Sequence, residues 1–297
     1  LSWQDRRAQG VCELLAEHAA ELSALTGLRL DPYFAAPKMA WLREHVTRDG
    51  VVTTTDTWLV RRLTGAFVTD AATASRTLLL DLDRGVWSAE ACAYFGVEAA
   101  ALPAIVGCAE PIGETTIFGG RLPVTGLAVD QQAALFAEGC FAVGEAKCTY
   151  GTGAFLLATT GAQARRSPSG LVASVAWRLG DATTYCFDGQ VYTAGAAIQW
   201  LERVGVLADV GVLDATANAV TSAGGGVFVP ALAGLAAPFW KPAARATFVG
   251  LVLATERGHL VRAVLEGVAA QVAALAGAIE ADLGAPLVCL RADGGLT

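Results

Sequence analysis

The pattern of apolar and polar positions in the first half of the chain predicts mainly helices. Apolar residues recur at steps of three and four between Val11 and Leu25, which is the spacing of one helix face, and Gly27 is predicted to end this helix. The same reasoning predicts, in chain order, helices over 36–48, 55–64 and 88–95, a polar loop over Thr69–Ser75, a strand over 124–129 and an apolar helix over 131–137. The predicted strand runs straight into Asp130.

The second half of the chain changes to the pattern of strands separated by Gly, Ser and Pro turns. The predicted elements are, in chain order, strands over 146–150, 154–160, 171–177 and 183–187, a helix over 194–206, a strand over 227–230, a helix over 258–283 and a strand over 286–291. A meander of strands followed by alternating helices and strands indicates an α/β domain with a mixed sheet. Gly139 and Gly144 bracket the expected junction between a first domain, 1–138, and a second domain, 139–297.

Composition and charge narrow the classes of function. The chain has 297 residues, 54% of them hydrophobic, and a formal net charge of −7. This length is typical of about two domains, and the mild acidity argues against a nucleic-acid partner, which would need clustered Lys and Arg. No apolar run reaches the roughly 18 uncharged residues of a membrane span, and no targeting peptide is visible. We therefore expect no nucleic-acid partner and no integral membrane segment.

The cysteines and histidines indicate a reduced protein with no metal ligands of its own. The seven cysteines are odd in number, form no C-x-x-C pair and lie among apolar neighbours. The three histidines are far apart in the sequence, which argues against a His-based metal site and against a Ser-His-Asp triad. We expect a cytoplasmic location.

Asp130 is the first candidate for chemistry. Open α/β sheets bind ligands at the carboxyl ends of their strands, and Asp130 follows a predicted strand. A carboxylate there can accept the proton of a substrate hydroxyl, and the adjacent amide of Gln131 can hold a second hydroxyl. An Asp before a helix is equally typical of an N-cap, and position alone leaves both interpretations open.

A turn around Thr152 is the second candidate. Gly151 and Gly153 flank this residue, so that backbone N–H groups and a hydroxyl can face one point, as in a phosphate cradle. An ordinary hairpin turn is the alternative, and no Walker P-loop occurs in the chain.

Two further glycine segments have weaker signals. Gly195 lies at a predicted helix start where small residues permit close approach of a nucleotide, and Gln199 lies one turn further on; close helix–sheet packing explains the same pattern. Asp293-Gly294-Gly295 is by itself only a turn. Three aromatic residues, Trp3, Tyr33 and Phe155, can supply apolar walls for a small polyol, although most aromatic residues are core.

Taken together and in order, these segments resemble the FGGY family of carbohydrate kinases over almost the whole chain. The most specific matches are Asp130-Gln131-Gln132-Ala133-Ala134-Leu135-Phe136 and Thr149-Tyr150-Gly151-Thr152-Gly153 with Phe155. The other matches are Trp3-Gln4 with Arg6-Arg7, Leu30-Asp31-Pro32-Tyr33-Phe34, Lys38-Met39-Ala40-Trp41, Thr55–Leu59, Ala74-Ser75-Arg76-Thr77, Ala194–Trp200 and Asp293-Gly294-Gly295. The form of the Asp130 segment resembles the members that phosphorylate glycerol.

The resemblance implies a fold and a set of site residues. The fold would be the actin-like (ribonuclease H-like) ATPase fold, with two domains and a ligand cleft between them. Asp130 would be the catalytic base. The substrate would be bound by Trp3, Tyr33, Asp130, Gln131 and Phe155. The nucleotide would be bound by Thr152, Gly195, Gln199 and Gly295.

The resemblance also implies a reaction, the ATP- and Mg²⁺-dependent phosphorylation of a small polyol, glycerol to glycerol 3-phosphate. The alternatives are a kinase for another polyol or a ketopentose (tetritol, pentitol, xylulose or ribulose type) and a non-catalytic paralogue that binds nucleotide or polyol. A homo-oligomer, dimer or tetramer, is expected. The family's N-terminal phosphate loop and C-terminal adenine-site residues are not found, so we expect a first domain without its beginning and a second without its end.

Overall fold

The computed structural model describes residues 1–296, with mostly helices at the start of the chain and runs of strands later. The helices are α1 Gln9–Leu14, α2 Ala19–Thr26, α3 Ala35–His45, α4 Thr55–Thr64, α5 Ala71–Ser75, α6 Ala89–Tyr94, α7 Asp130–Ala137, α8 Gly195–Arg203, α9 Leu213–Asn218 and α10 Arg257–Leu283. The strands are β1 Val68–Asp70, β2 Leu80–Asp81, β3 Val86–Trp87, β4 Ala104–Val106, β5 Gly113–Thr115, β6 Leu122–Val124, β7 Glu145–Tyr150, β8 Ala154–Gly161, β9 Val172–Leu179, β10 Ala182–Val191, β11 Val227–Val229, β12 Thr247–Val249 and β13 Cys289–Asp293. Short 3₁₀ turns occur at Ala16–His18, Ala99–Ala101 and Val210–Val212.

The chain divides into two units that interleave in sequence. Unit 1 contains 1–137, 159–167 and 172–187, and unit 2 contains 138–158, 168–171 and 188–296. The predicted domains, 1–138 and 139–297, stay a prediction.

The core of unit 1 is formed by buried leucines and by two helices packed on β9. The leucines that are at most 1% exposed include Leu22, Leu28, Leu78, Leu79, Leu80, Leu82 and Leu135. The hydroxyl oxygen of Ser75, in α5, accepts a hydrogen bond from the backbone N–H of Val175 (3.0 Å), and the side-chain amide of Gln132, in α7, contacts the hydroxyl of Ser174 (3.4 Å). These contacts hold α5 and the start of α7 against β9.

Gly27 ends α2 as predicted. Its φ of 74° is left-handed, and a Cβ there would lie 2.7 Å from the carbonyl oxygen of Ala173. The backbone N–H of Ala173 donates to the Gly27 carbonyl at 3.0 Å. The glycine therefore both stops the helix and lets it approach β9 closely.

Three predictions in unit 1 are wrong in detail. The helix predicted from Val11 to Leu25 is divided into α1 and α2 by the 3₁₀ turn Ala16–His18. The loop predicted over Thr69–Ser75 is instead the end of β1, parallel to β4, followed by α5. This short helix has no apolar stripe, and it forms because the buried Asp70 carboxylate caps it, accepting from the backbone N–H groups of Ala72 (2.8 Å) and Thr73 (3.2 Å).

The strand predicted over 124–129 is the third error. Only Val124 lies in a strand, at the end of β6, and 125–129 is irregular. The backbone N–H of Leu127 donates to the carbonyl of Cys108 at 3.0 Å, but no ladder of such bonds continues within the described residues. The hydrophobic run is therefore extended chain that leads into α7.

Unit 2 carries the strands next to which the glycine segments lie. The largest sheet has the order β13-β7-β8-β10-β9; β13 is parallel to β7, and β7 is antiparallel to β8. Strands β8 and β10 have residues in both units. The predicted meander is wrong, because β10 lies between β8 and β9 in this order. The last strand begins at Cys289, three residues later than predicted.

Helix α10 packs its buried side against β11 and α9. Its buried residues include Val261, Val264 and Leu275, and Val264 belongs to the same apolar cluster as Phe228 of β11. By length and composition alone α10 is long and apolar enough to cross a membrane. Because one side of it packs on β11 and α9 and another carries the partly exposed ion pair of Arg262 with Glu266 (2.8 Å), we interpret it as a helix that packs on the core of unit 2.

Candidate active site

Asp130 is the first residue of α7, and its carboxylate is exposed. The carbonyl of Val129 accepts the first helical hydrogen bond, from the backbone N–H of Ala133 at 2.9 Å, so that Val129 and not Asp130 has the N-cap position. One carboxylate oxygen of Asp130 accepts from the backbone N–H of Gln131 at 2.8 Å. The N-cap explanation of this aspartate is therefore not supported, and an accessible acceptor is left at the helix start.

Trp3 and Tyr33, both predicted substrate residues, lie together in unit 1. Their ring centroids are 6.0 Å apart and their planes meet at 61°, an edge-to-face contact. Tyr33 also packs edge-to-face on Phe34, with 5.0 Å between centroids. Phe34 is 2% exposed, whereas Trp3 and Tyr33 are half-buried. The two rings thus present a partly accessible aromatic surface on a buried base.

The turn that carries Tyr33 is held by two buried charged groups. The Asp31 carboxylate accepts from the backbone N–H of Tyr33 at 2.8 Å. The Lys38 ammonium donates to the carbonyl oxygens of Pro32, of Tyr33 (2.9 Å) and of Phe34 (3.3 Å). These bonds fix three successive carbonyls of the turn on a single cation.

Burial moves the pKa values of both charged groups toward their neutral forms. It raises the pKa of Asp31, against the opposing hydrogen bond from Tyr33, and it lowers the pKa of Lys38 to about 8, against the attraction of Asp31. Arg6 lies 3.8 Å from the Asp31 carboxylate. The turn is therefore stabilised by interactions that depend on charge.

Arg76 is a site residue to which sequence reasoning gave no role. Its Nη2 donates to the hydroxyl oxygen of Tyr33 at 2.9 Å, and its guanidinium carbon is 5.7 Å from the centre of the Tyr33 ring. The motif Ala74–Thr77 marked this stretch, but the contact joins residues 43 positions apart. No local pattern could have revealed it.

A cavity of about 450 Å³ in unit 1 connects Trp3 with the segment before Asp130. Its walls include Trp3, Lys38, Thr73, Ala128 and Val129. The structure thus brings one predicted substrate residue to the same cavity as the chain that leads into the predicted base.

In unit 2 the glycine turn docks on the start of α8. The N–H of Gly195 donates to the carbonyl of Gly151 at 2.9 Å, and the N–H groups of Ala194 and Ala196 both donate to the carbonyl of Thr152 at 3.0 Å. The N–H of Gly151 donates to the carbonyl of Gly153 at 2.9 Å. The Thr152 side chain is left exposed at the tip of the turn.

The end of β13 meets the same turn. The N–H of Leu296 donates to the carbonyl of Tyr150 at 3.3 Å, and Gly294 (φ 106°) lies so close to Tyr150 that a Cβ would overlap its backbone. Space around Gly295 is open, with no atom within 4 Å of a Cβ placed there. The structure therefore brings Gly295 to the strand end that carries the Thr152 turn.

Two predicted site residues remain, Gln199 in α8 and Phe155 in β8. Gln199 is exposed and one helical turn beyond Gly195, on the same side of α8. Phe155 is half-buried in β8, where it pairs with Thr149 of β7. The hydroxyl of Thr149 accepts from the fully buried Lys147 ammonium at 2.6 Å.

Among residues 1–296, no cluster of three or more His, Cys, Asp or Glu side chains has the arrangement needed to hold a metal ion. The seven cysteines are free thiols, and burial raises the pKa of Cys148 to about 11. The predicted site residues themselves supply a carboxylate, amides, hydroxyls and aromatic rings.

Comparison with known families decides the identity. The model for the FGGY family of carbohydrate kinases, N-terminal domain, matches residues 1–137, and the model for its C-terminal domain matches residues 146–297. The chain belongs to the FGGY family of carbohydrate kinases.

Relatives of this FGGY chain include curated glycerol kinases. That of Myxococcus xanthus is 47% identical over 313 residues, which cover 99% of this chain and 63% of the relative. That of Thermus brockianus is 44% identical over 308 residues, which cover 99% of this chain and 62% of the relative. The FGGY chain therefore spans less than two thirds of the length of these relatives.

Solved structures resemble this FGGY chain over nearly its whole length. A crystal structure of Plasmodium falciparum glycerol kinase with ADP superimposes with a TM-score of 0.89 at 34% identity, covering 99% of this chain and 62% of that one. A xylulose kinase from Rhodospirillum rubrum gives 0.82 at 27% identity, covering 98% and 62%. These likenesses confirm the predicted α/β, actin-like fold class, while the roles of the individual site residues stay predictions.

Proposed function

We propose that the protein transfers the γ-phosphoryl group of MgATP to a terminal hydroxyl of glycerol, giving glycerol 3-phosphate and ADP. The observation that carries this proposal is the exposed Asp130 carboxylate at the start of α7, bonded to the N–H of Gln131 and preceded by chain that lines the Trp3 cavity. The similarity to glycerol kinases, at 47% and 44% identity in alignments that cover 99% of the chain, supports glycerol as the acceptor.

In this proposal unit 1 binds the polyol. Asp130 and Gln131 hold its hydroxyls, and Trp3 and Tyr33 cover its carbon side. Phe155 stays a predicted substrate residue. Aromatic faces suit a C–H surface, whereas the carboxylate and the amide suit the hydroxyl edge.

Unit 2 binds MgATP in this proposal. The Thr152 hydroxyl and the N–H groups of the glycine turn contact phosphate oxygens, and Gly195, Gln199 and Gly295 line the nucleotide. Magnesium enters with the nucleotide as part of the substrate and offsets charge on its phosphates, so that no protein cluster of carboxylates is needed to hold it.

The proposed reaction needs positioning more than covalent chemistry by the protein. The glycerol O–H bond breaks as its oxygen bonds to the γ-phosphorus, and the proton goes to a carboxylate oxygen of Asp130. The bond between the γ-phosphorus and the bridging oxygen of ADP breaks, with its electron pair left on ADP. A general base of this kind typically contributes about 10²- to 10⁴-fold to the rate.

The Asp130→Asn variant of the full-length protein tests the proposal. We expect kcat to fall at least about a hundredfold with an unchanged melting temperature, because the side chain is exposed and the amide keeps its shape. Asp214→Asn is the matched control, since Asp214 is likewise an exposed aspartate in the first turn of a helix. Near-normal turnover by Asp130→Asn would refute the assigned base.

A second candidate is a kinase for another polyol or a ketopentose, which is favoured by the likeness to a xylulose kinase structure. A panel of glycerol, tetritols, pentitols, xylulose and ribulose in a coupled assay of ADP release separates the two by their kcat/KM values. Binding of nucleotide or polyol without turnover of any of these would favour the non-catalytic paralogue.

Location and assembly belong to the same proposal. We propose a cytoplasmic homo-oligomer, dimer or tetramer; seven free thiols, five of them buried, suit a reducing compartment. Light scattering coupled to gel filtration gives the mass of the assembly directly.

A further inference from the structure

Gln132 connects the first turn of α7 to the sheet through a buried amide. The residue is 2% exposed, and its Nε2 donates to the hydroxyl oxygen of Ser174, in β9, at 3.4 Å. Ser174 is itself fully buried, and its hydroxyl lies 3.4 Å from the thiol sulfur of Cys186, in the neighbouring strand β10. All three residues belong to unit 1. A polar contact therefore runs from the helix start into two strands of the sheet.

The amide of Gln132 holds this helix on the sheet at a cost in stability. Its Oε1 is buried and has no hydrogen-bond partner among residues 1–296, and burying an oxygen without a partner lowers the unfolding free energy. The other buried residue of α7 is Leu135, which packs without this cost. An apolar side chain of similar length would therefore suit the fold better at position 132. A residue that departs in this way from the best choice for stability is a candidate for function.

The direction of the Asp130 carboxylate depends on the backbone of the same turn. Val129 has the N-cap position, and its apolar side chain cannot accept a hydrogen bond from the first turn. The carboxylate of Asp130 bonds to the backbone N–H of the next residue, Gln131, at 2.8 Å. Whatever holds the backbone of the first turn therefore also holds the carboxylate, and the side chain of Gln132 reaches β9 from this turn.

We infer that Gln132 is a positioning residue: by bonding to Ser174 it fixes the first turn of α7 and thereby the direction of the Asp130 carboxylate. The inference rests on the proposed function, in which Asp130 accepts the proton of the reacting hydroxyl. A base that is held in advance needs no reorganisation during the reaction, and a small misplacement of it lowers the rate. Removing the amide of Gln132 should therefore lower activity without lowering stability.

Gln132→Met in the full-length protein tests this inference, since methionine has a similar length and no amide. We expect kcat to fall about tenfold and the KM for ATP to stay unchanged. The melting temperature should stay equal or rise, because a buried oxygen without a partner is removed. Leu135→Met, a volume-conserving change at the other buried residue of α7, is the matched control and should leave kcat within about twofold. Equal kcat values for the two variants would overturn the inference, and so would a fall in kcat that only follows a lost folded fraction.

Ser174→Ala breaks the same contact from the other side. It removes the acceptor of the Gln132 amide, so we expect a lower melting temperature, the opposite of Gln132→Met, together with a similar fall in kcat. The double variant should have about the kcat of the lower single variant, because both changes break one contact. If the two factors multiply in the double variant instead, Gln132 does not act through Ser174 and the inference is wrong.

Hydrogen exchange followed by mass spectrometry reports on the first turn without any turnover. The backbone N–H of Ala133, which bonds to the carbonyl of Val129 at 2.9 Å, exchanges when this turn opens. We expect a peptide that spans 127–137 to exchange faster in Gln132→Met than in Leu135→Met, and equal exchange in the two variants would overturn the inference whatever the activity. A wild-type protein that phosphorylates no polyol would instead refute the proposed function, while the exchange rates would still show whether Gln132 holds the turn.

Discussion

The backbone N–H of Gly195 donates to the carbonyl oxygen of Gly151 at 2.9 Å, and a Cβ on Gly195 would lie 2.6 Å from that same oxygen. The Gly151 oxygen is a backbone atom, so it cannot move aside cheaply to make room for a Cβ. The glycine at the start of α8 is therefore required by the close approach of the Thr152 turn. The sequence motif alone favoured close packing at Gly195, and the structure shows such packing against the Thr152 turn; nucleotide binding by Gly195 stays a prediction.

Gly195→Ala should push the turn away from α8. We expect a loss of about 1–3 kcal/mol of unfolding free energy, as for other overpacked sites, together with a higher KM for ATP. Gly277→Ala in α10 is the control: no atom lies within 4 Å of a Cβ there and the site is exposed, so that alanine should be neutral or stabilising. Thermal unfolding of both variants measures the difference, and equal melting temperatures would contradict the assigned contact.

Asp70 should contribute to stability as the cap of α5. Removing it as Asp70→Ala leaves the N–H groups of Ala72 and Thr73 without their acceptor, at a cost of about 0.5–2 kcal/mol. Asp70→Asn keeps an acceptor oxygen and removes a carboxyl group whose pKa is raised by burial. It should therefore lower the unfolding free energy by less than Asp70→Ala does. Urea unfolding gives these values, with Ser88→Ala as the benchmark of a neutral cap, since the Ser88 hydroxyl accepts from Ala91 at 3.1 Å. A harmless Asp70→Ala would show that burial alone stabilises α5.

The part of the fold that could be predicted from the sequence is the part with strong periodicity or glycine stops. Helix α10 follows its predicted range within one residue because a long apolar stripe specifies it. Helix α5 could not be predicted in this way, because its small residues show no stripe and its stability comes from the Asp70 cap and from burial. Residues 124–129 have the hydrophobicity of a strand but not the hydrogen-bonded neighbour that defines one.

The same distinction, between local sequence signals and tertiary contacts, applies to the residues of the candidate site. Asp130, Thr152 and Gly195 could be selected because each lies in a local motif at an element boundary. The contact of Arg76 with Tyr33 could not, because it depends on the way the chain between them folds back. Long-range positioning contacts of this kind require coordinates.

Lys38 should titrate near pH 8. Burial lowers its pKa from 10.5 in the unfolded chain to about 8 in the folded protein. Between these values the unfolded state binds more protons, so the contribution of Lys38 to the unfolding free energy should rise as pH increases from about 8 to about 10.5 and be flat below. The chain has only three lysines, Lys38, Lys147 and Lys241, and NMR of labelled lysine can follow each one. A Lys38 midpoint near 10.5 would contradict the buried environment described for it.

Thr152 should act through its hydroxyl and not through the fold. Its carbonyl, which Thr152→Ala retains, accepts from Ala194 and Ala196, whereas its side chain is exposed. Because a hydrogen bond to a charged phosphate contributes about 1.5–3 kcal/mol, Thr152→Ala should lower kcat/KM for ATP by roughly 10- to 100-fold at an unchanged melting temperature. Thr116→Ala, at an exposed threonine between β5 and β6, should change neither quantity. A Thr152→Ala protein with normal kcat/KM for ATP would mean that the turn contacts phosphate through its backbone N–H groups alone, and a fall in melting temperature would mean that the hydroxyl supports the turn itself.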